Sequence, residues 1–274
     1  MYNDFISDCT NCFGLCCVAL PYGKSADFPI NKDAGDPCRH LCSNNSCAIH
    51  NRLRVEGFRG CVSYECFGAG QKVSQLIFHN KDWREDVDHA NEMFAVFPIV
   101  QQLHEMLYYL KQALALRETT SIKLSLQKIY EETVELTIKR PKEILEIDLA
   151  AHRSKVNALL TETSKMYRND RNDAGEKQRT KKDVDFIGAN LEGLTLRGKD
   201  FRGKLMISSS LRNSDLRRAD WIGADLRDAD LSGADLTDAL FLTQSQLNSA
   251  IGDVHTKIPW FLEKPSHWLN KNNM

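Results

Sequence analysis

Nine cysteines are the residues of this chain whose type and spacing point most directly to chemistry. All of them lie within the first 66 of 274 residues, and they are Cys9, Cys12, Cys16, Cys17, Cys38, Cys42, Cys47, Cys61 and Cys66. The number is odd and we expect a reducing, cytoplasmic compartment, so a disulfide framework is disfavoured. Thiolates are preferred ligands of soft and borderline cations, and the sequence therefore predicts a metal-binding region.

The spacing of the thiols bears on how many ions they would hold. Four of them fall within residues 9–17, where Cys16 and Cys17 are adjacent. Two zinc ions would need eight ligands, whereas one iron–sulfur cluster would need four. Adjacent thiols cannot readily bind one ion in good geometry. We therefore expect Cys16 and Cys17 to serve two ions, or one of them to stay free.

The predicted metal ligands are Cys9, Cys12, Cys16, Cys17, Cys38, Cys47, Cys61 and Cys66. Cys42 is the first candidate for a cysteine that binds no metal. His50, which follows Cys47 at the spacing Cys-x2-His, is a tenth candidate ligand, and His40 is less favoured. Zinc is the predicted cofactor, with iron or an iron–sulfur cluster as the alternative.

The segment CTNCFGLCC at residues 9–17 resembles the zinc/iron-chelating cysteine-cluster family, which carries CxxCxxxCC near its N-terminus and further cysteines downstream. CAIH at residues 47–50 resembles a later Cys-x-Ile-Tyr segment of that family. The resemblance extends over residues 9–66. It implies metal chelation and supplies no reaction.

The chain that must position these thiols divides into zones of different composition. Residues 1–80 are rich in turn residues and show little periodicity, which predicts a small cysteine-rich domain stapled by metal. Residues 81–167 predict a bundle of three helices, the third beginning at Pro141. Residues 168–183 contain ten charged residues of sixteen and predict an exposed linker.

Residues 184–243 repeat every five residues. Each fifth position from Phe186 to Phe241 holds a large apolar residue, twelve in succession, and Asp or Asn precedes it in eight of the twelve copies. A period of five fits neither an α-helix nor a strand. A chain that turns a corner every five residues would point the same position inward at each corner, and four corners would close a square coil. The repeated Asp side chains are expected to hydrogen-bond the turns.

This pattern is similar to A(D/N)LXX, the signature of the pentapeptide-repeat family. The resemblance covers residues 184–243 and implies a right-handed quadrilateral β-helix of three coils. Lys199 and Lys204 replace the small residue of the pattern, so we expect the third and fourth copies to bulge or to open one face. Bacterial proteins of unassigned role also join such repeats to cysteine-rich segments. The predicted fold is a mixed multi-domain one, with a short β-helix, an α-helical bundle and a metal-stapled cysteine-rich domain.

The C-terminal residues 244–274 are predicted to cover the end of the repeats as a capping helix and tail. A helix is expected between Thr243, as its N-terminal cap, and Gly252, as its stop. The residues expected to seal the last coil or to pack beside it are Leu247, Ala250, Ile251, Pro259, Trp260, Phe261, Leu262 and Trp268.

Charge and hydropathy argue against several classes of protein. Lys and Arg number 36 against 37 Asp and Glu, so no strong attraction to nucleic acid or to an anionic membrane is indicated. No apolar run is long enough to span a membrane, and MYNDFISDC lacks the features of a secretory signal. FGAGQKVS at residues 67–74 lacks the spacing of a phosphate-binding loop and is interpreted as a turn. No catalytic residue is predicted.

Several functions remain open at this level. The first is a non-enzymatic scaffold with a structural metal, whose repeats bind an unidentified protein. The second is a metal-dependent redox protein or enzyme, or a thiol or metal sensor, seated in the cysteine cluster. The best-known pentapeptide-repeat proteins mimic duplex DNA and protect gyrase. Residues 184–253 hold 11 acidic and 8 basic residues, whereas about 14 Å of duplex would carry about eight net charges, so this role is disfavoured.

Overall fold

The structure, a computed structural model, describes residues 5–168 and 185–269. Of the predicted linker 168–183, Arg168 is the last residue of a helix, and the other residues lie outside the described part. The chain forms two compact units. Unit one consists of Met1–Ala115 and Thr120–Leu160, and unit two of Leu116–Thr119 and Thr161–Met274.

Unit one is built from helices and turn-rich segments. Its α-helices are α1 Leu15–Val18, α2 Arg59–Val62, α3 Ala69–Gln71, α4 Val87–Ala115, α5 Lys123–Leu136, α6 Pro141–Leu145 and the first part of α7 Leu149–Arg168. A π-helix, Lys72–Ile77, follows α3. Short 3₁₀ helices lie at Cys9–Asn11, His50–Arg52, Trp83–Glu85 and Thr120–Ile122. Antiparallel bridges join Tyr22 to Lys32 and Leu41 to Cys47.

Two hydrophobic clusters hold the N-terminal part of unit one. The first is centred on α4, and Leu15 and Val18 of α1 are fully buried in it. The second is a smaller cluster of Ile49, Leu53 and Phe58. Burying a side chain of this size contributes about 1.5–3 kcal/mol. The first cluster therefore anchors residues 15–18. The second cluster lies within residues 19–58, the turn-rich segment between α1 and α2.

The helical prediction for residues 81–167 needs one correction. Pro141 is the first residue of a helix, as predicted, but that helix ends at Leu145. The following residues belong to α7, which begins at Leu149. The Asp148 carboxylate accepts a hydrogen bond from the backbone N–H of Ala151 at 2.9 Å, which is the contact of an N-terminal cap. The cap starts a new helix where one continuous helix was expected.

Residues 185–243 of unit two form the repeat stack, in which the chain returns to the same position every 20 residues. Parallel bridges join residues 20 apart, such as Asn190 with Ser210 and Ser210 with Asp230. Each is a single bridge, and residues 5–168 and 185–269 contain no β-strand. The predicted right-handed quadrilateral β-helix of three coils is therefore wrong. Each copy turns once within five residues, so one position per copy is left to pair and no run of paired residues forms.

The turns of the repeat stack share one backbone conformation. Eleven positions at intervals of five residues have φ between +55° and +69°, and these positions are Gly188, Gly193, Gly198, Gly203, Ser208, Asn213, Arg218, Gly223, Asp228, Gly233 and Asp238. The predicted role of the repeated aspartates is confirmed. The Asp225 carboxylate accepts the backbone N–H of Arg227 at 3.1 Å, and Asp230 accepts that of Ser232 at 2.9 Å.

The predicted inward positions of the repeats are confirmed from Leu196 onward. Every fifth residue from Leu196 to Phe241 is at most 2% exposed. The expected bulge at the third and fourth copies is wrong. The backbone N–H groups of Lys199 and Lys204 close the same turns as in the other copies, at 3.1 and 3.0 Å. A long lysine stem can lie along the surface of the stack, so the turn has no need to open.

A capped helix follows the last repeat. α8, Gln244–Ser249, begins after Thr243, whose hydroxyl accepts the backbone N–H of Gln246, so the predicted cap is confirmed. The helix ends at Ser249, with Ala250 as its C-terminal cap, before the predicted stop at Gly252. The chain then continues the stack, because Ile251 bridges to Asp230 and Lys257 to Asp235.

Some of the residues predicted to cover the end of the stack are buried, and others are exposed. Leu247 and Ala250 are fully buried, and Trp268, on α9 Ser266–Leu269, is 3% exposed. The Trp268 indole N–H donates to the Ala250 carbonyl at 3.1 Å. By contrast, Ile251 is 44% exposed, so its predicted sealing role is wrong, and Trp260, predicted to pack beside the last coil, is 79% exposed. Trp268 occupies the end of the core in their place.

One face of the repeat stack carries the last turns of α7 within unit two. The Arg168 guanidinium pairs with Asp200 at 2.9 Å. The Tyr167 hydroxyl donates to the Asp238 carbonyl at 2.9 Å, and Arg218 stacks over the Tyr167 ring at 4.0 Å. Arg218 also pairs with Glu118 at 2.7 Å. These contacts cover that face of the stack with a segment of the same unit.

Candidate functional site

Eight of the nine cysteines fall into two groups in unit one. Group one is Cys9, Cys12, Cys16 and Cys66, and group two is Cys17, Cys38, Cys47 and Cys61. All nine cysteines are free thiols.

Group one joins the N-terminal segment to the residues that precede α3. A Cβ placed on Gly70 would lie 2.7 Å from the Cys12 sulfur and 3.8 Å from the Cys66 sulfur, so both sulfurs face the same glycine. Cys12, Cys16 and Cys66 all pack against the hydrophobic cluster on α4. Cys9 is an exposed residue, and partial burial of its sulfur, followed by the charges of thiolates at Cys12, Cys66 and Cys17, raises the pKa of Cys9 to about 11.

Polar groups of the protein surround the sulfurs of group one. The backbone N–H groups of Leu15 and Gly14 hydrogen-bond the Cys12 sulfur, which also interacts with the Ser74 hydroxyl. The Ser7 oxygen lies 3.0 Å from the Cys66 sulfur. The Tyr64 hydroxyl is buried and has no hydrogen-bond partner among the described residues. Burial, and then the neighbouring Cys66 and Cys16 as thiolates, raise the pKa of Tyr64. Donors at Gly14, Leu15 and Ser74 are therefore available to charged sulfur at Cys12, whereas the Ser7 hydroxyl donates to the Glu65 carboxylate and faces Cys66 as an acceptor.

Group two takes Cys17 from α1, Cys61 from α2, and Cys38 and Cys47 from the turn-rich segment, residues 19–58, that lies between these helices. The Tyr22 hydroxyl donates to the Cys38 sulfur at 3.3 Å. Cys47 and Cys61 pack against the second hydrophobic cluster, and the backbone N–H of Ile49 hydrogen-bonds the Cys47 sulfur. Burial, and then thiolates at Cys17, Cys38 and Cys47, raise the pKa of Cys61 to about 12.

Lys32 places a positive charge beside group two. The side chain is 8% exposed, and its ammonium donates to the carbonyl oxygens of Val18, Asp33 and Asp36 at 3.0, 2.9 and 2.8 Å. Burial lowers the pKa of Lys32, and a thiolate at Cys38 opposes that effect. The three carbonyls hold the ammonium in place, where it offsets negative charge on the thiols.

Cys16 and Cys17 mark the junction of the two groups, with their sulfur atoms 4.0 Å apart. Their mutual hydrogen bond is the largest cause of the raised pKa of Cys16 and of the lowered pKa of Cys17. Cys17 also hydrogen-bonds Cys47, whereas Cys16 packs on the α4 cluster. Each of the adjacent thiols thus lies with a different group.

The remaining candidates lie at the edge of group two or outside it. A thiolate at Cys42 is the last and smallest of the effects that shift the pKa of Cys47. His50 is exposed. His40 packs edge-on against the Phe58 ring, with their centroids 5.1 Å apart. The backbone N–H of His50 donates to the Cys47 carbonyl at 3.2 Å.

No three His, Cys, Asp or Glu side chains in residues 5–168 and 185–269 are arranged so as to hold a metal ion as they stand. The sulfurs of each group would have to close in around a cation.

None of the helices described is long and apolar enough to cross a membrane.

Sequence reasoning missed the residues that support the thiols. Tyr64 lies two residues before Cys66, and this proximity is a signal that was available in the sequence. Gly70 belongs to the segment interpreted as a turn, in which Gly68 takes a left-handed conformation with φ of 79° before α3 begins. Lys32 has no local signal, because it meets the thiols through the bridge to Tyr22.

Comparison with known proteins bears on both ends of the chain. Residues 206–241 match the pentapeptide repeats, in eight copies. The chain is 55% identical to the uncharacterized protein YybG of Bacillus subtilis (strain 168) over 268 aligned residues. The alignment covers 98% of this chain and 96% of that protein. The similarity therefore includes the cysteine-rich segment as well as the repeats.

Proposed function

The chain belongs to the pentapeptide-repeat proteins, in one family with the uncharacterized protein YybG of Bacillus subtilis, and from that premise we propose that it is a non-enzymatic scaffold with a structural metal. The repeat stack would contact a protein partner. The cysteine region would bind zinc through Cys9, Cys12, Cys16, Cys17, Cys38, Cys47, Cys61 and Cys66, without His50 or Cys42.

The observation that carries the proposal is the grouping of eight thiols among polar groups suited to charged sulfur. Backbone N–H groups point at Cys12 and Cys47, and Tyr22 donates to Cys38. A buried hydroxyl without a partner, such as that of Tyr64, lowers the stability of the fold unless a nearby group accepts a hydrogen bond from it. A metal-bound thiolate is such an acceptor, and hydrogen bonds of this kind orient metal ligands.

A metal would also compensate for the small core beneath the turn-rich segment. The second cluster has three buried members, Ile49, Leu53 and Phe58. Small folds with little apolar surface to bury commonly depend on a metal or on disulfides. Sets made entirely of thiolates suit zinc, which has no redox chemistry of its own. Iron or an iron–sulfur cluster is the alternative cofactor.

The repeat stack supports a protein partner more than a nucleic acid. Its arginines pair with the aspartates of the repeats, such as Arg212 with Asp230 at 2.9 Å and Arg227 with Asp225 at 2.7 Å. Pairing of this kind leaves a surface of mixed charge, whereas binding to phosphates needs an uncompensated positive face. Stacked repeats are also well suited to presenting a rigid surface to a protein.

Elemental analysis of the purified full-length chain, joined to hydrogen exchange, tests the proposal. We expect zinc to remain bound through gel filtration. Removal of zinc by a chelator should speed amide exchange in residues 5–66 and leave residues 206–241 unchanged. The proposal fails if the chain carries no metal after reconstitution with zinc, or if amide exchange in residues 5–66 is equally fast with and without the metal.

A thiol sensor is the second candidate, and the pair Cys16 and Cys17 favours it. Their sulfurs are 4.0 Å apart, and Cys17 has a lowered pKa because of its hydrogen bond with Cys16 and then the charge of Lys32. Oxidation by a peroxide of a thiol whose pKa is lowered, as that of Cys17 is, would eject a metal. Zinc release at low peroxide, reversed by a reductant, would favour the sensor over a purely structural metal. Retention of zinc would count against it.

A further inference from the structure

The two ends of the repeat stack are finished differently. At the C-terminal end the buried Trp268 closes the apolar core. At the N-terminal end the first coil, residues 185–204, has no coil before it in the described part of the chain. Phe186 holds an inward position of this coil and is only half-buried, whereas Met206, at the equivalent position one coil later, is fully buried. Leu191 is likewise partly buried against the same core. The core of the stack therefore reaches the surface at its N-terminal end.

The first coil also ends the ladder of backbone hydrogen bonds between coils. In the second coil the Ser210 N–H donates back to the Ala189 carbonyl at 2.8 Å. The equivalent N–H in the first coil, that of Asn190, finds no backbone acceptor among the described residues, and neither does that of Thr195. A row of unpaired backbone groups beside exposed apolar side chains is a template for another chain.

The chain that leads into the first coil brings little apolar surface with which to cover it. Residues 169–184 contain a single aliphatic residue larger than alanine, Val184, among mainly charged and polar ones. Charged side chains lose hydration when they cover an apolar surface, so they are poor covers for a core. An extended peptide would pair with only one of the four sides of the coil. The end of a second stack has the matching shape and offers apolar side chains and backbone groups together.

Charge makes this end complementary to itself. The first half of the coil, residues 185–194, contains two acidic residues and no basic one. The second half, residues 195–204, contains four basic residues and one acidic residue, and the Arg168 guanidinium donates to its Gly198 carbonyl at 3.1 Å. If two ends meet about a twofold axis that runs between the halves, the acidic half of each copy faces the basic half of the other.

Ion pairs between neighbouring coils are already part of this stack. Arg202 pairs with Asp220 at 3.1 Å, and Arg212 pairs with Asp230 at 2.9 Å. In each pair the two residues lie on successive coils. A coil of a second copy, placed at the usual strand spacing of about 4.8 Å, would offer the first coil contacts of the same kind.

We propose that the first coil of the repeat stack is a self-association surface, through which two copies of this chain meet end to end about a twofold axis. In this arrangement Glu192 of each copy faces Arg197 of the other, and Asp185 faces Lys204. The proposal is independent of metal binding, because it rests on the repeat stack alone. It uses the end of the stack and not its outer sides, which the protein partner proposed above would contact.

Sedimentation velocity of the full-length chain, from micromolar to submillimolar concentration, tests the proposal. We expect the wild type to change from monomer to dimer over this range. Hydrogen exchange locates the interface, because the amides of residues 185–196 should become better protected as the dimer forms, while those of residues 206–241 stay unchanged. A monomer at every concentration overturns the proposal. A dimer without added protection of residues 185–196 overturns it as well.

Charge reversal tests the twofold pairing. Glu192→Arg should weaken the dimer by about tenfold, because symmetry makes like charges meet twice in each dimer. Arg197→Glu should weaken it similarly. An equimolar mixture of the two variants should dimerise as tightly as the wild type, because opposite charges then face each other at both contacts. Unchanged exchange in residues 206–241 shows that each variant is folded.

Glu263→Arg is the matched control for these variants. It makes the same change of charge at an exposed residue in the C-terminal tail, far along the chain from the first coil. We expect it to leave the dimer unchanged. Equal weakening by Glu263→Arg and Glu192→Arg would assign the effect to net charge and overturn the proposed interface. A mixture of Glu192→Arg and Arg197→Glu that associates no more tightly than either variant alone would overturn the twofold pairing.

Discussion

His104 illustrates at the residue scale how burial sets a protonation state. Its Nδ1 lies 2.8 Å from the Phe67 carbonyl oxygen, and its Nε2 is buried with no hydrogen-bond partner among the described residues. Burial lowers the pKa of His104 to about 4. The neutral ring is therefore the form that the folded chain holds, while the unfolded chain takes up a proton near the ordinary pKa of about 6.5.

Protonation of His104 should destabilise unit one in acid. Between pH 6.5 and 4 the unfolded state binds the proton and the folded state does not, so stability falls as the pH falls, by about 3 kcal/mol over the window. His104→Gln keeps a donor for the Phe67 carbonyl and removes the titration. Denaturant unfolding at pH 7 and pH 4.5 should show a smaller loss in the variant. Equal losses in both proteins would contradict the prediction.

At the scale of the element, Arg218 occupies a turn position that glycine fills in six of eleven cases. Its φ is 58°, a conformation that costs a side chain about 1 kcal/mol or more. The residue is retained there by its stacking on Tyr167 and its ion pair with Glu118. The same turn geometry thus accepts an arginine where its side chain has partners.

Arg218→Ala and Arg218→Gly separate these two effects. Both variants lose the contacts with Tyr167 and Glu118, but glycine also relieves the backbone cost. We expect Arg218→Ala to be less stable than Arg218→Gly by about 1 kcal/mol in thermal or denaturant unfolding. Equal stability of the two variants would contradict the prediction, because it would mean that the left-handed backbone at position 218 carries no cost for a residue other than glycine.

Trp268 closes the C-terminal end of the stack as a second element-scale feature. A Cβ on Gly252 would lie 2.5 Å from the Trp268 ring, which shows how closely the tail packs. Trp268→Ala should lower the stability of unit two by about 3–5 kcal/mol, the usual cost of truncating a buried aromatic. Trp260→Ala, at a residue that is 79% exposed, is the matched control and should change stability by less than about 1 kcal/mol. Comparable losses would rule out a specific cap at Trp268.

At the scale of the whole molecule, the chain holds its parts together by different means. The repeat stack buries its own apolar core in every copy from Leu196 to Phe241, and α4 carries a buried stripe along unit one. Residues 9–66 have few such residues and all of the thiols. The proposed zinc ligands are therefore placed where hydrophobic burial contributes least.

A chain in which all eight proposed ligands are changed to Ser tests this division of labour. We expect residues 206–241 to keep their protection from amide exchange, while residues 9–66 lose it by about a hundredfold or more, a loss of about 3 kcal/mol in local stability. Cys42→Ser serves as the control. Preserved protection in residues 9–66 would mean that apolar packing alone holds the segment.

Several features followed from short stretches of sequence. The five-residue period identified the buried positions, the aspartates identified the turns, and Thr243 and Pro141 marked helix starts correctly. Each of these depends on a few neighbouring residues, whose steric and hydrogen-bonding preferences act locally. The grouping of thiols was not predictable in this way, because Cys12 and Cys66 meet at Gly70 only after the chain has folded over α4.

By itself the sequence determined which residues point inward in the repeats, where the turns fall and where the reactive thiols are concentrated. The tertiary structure alone decided that the copies pair through single bridges and form no strands, that Trp268 rather than Ile251 seals the end, and that eight thiols lie in two groups beside Lys32 and Tyr64. Periodicity records the direction of a side chain relative to its own backbone. Which distant segment it meets depends on the packing of the hydrophobic clusters beneath it.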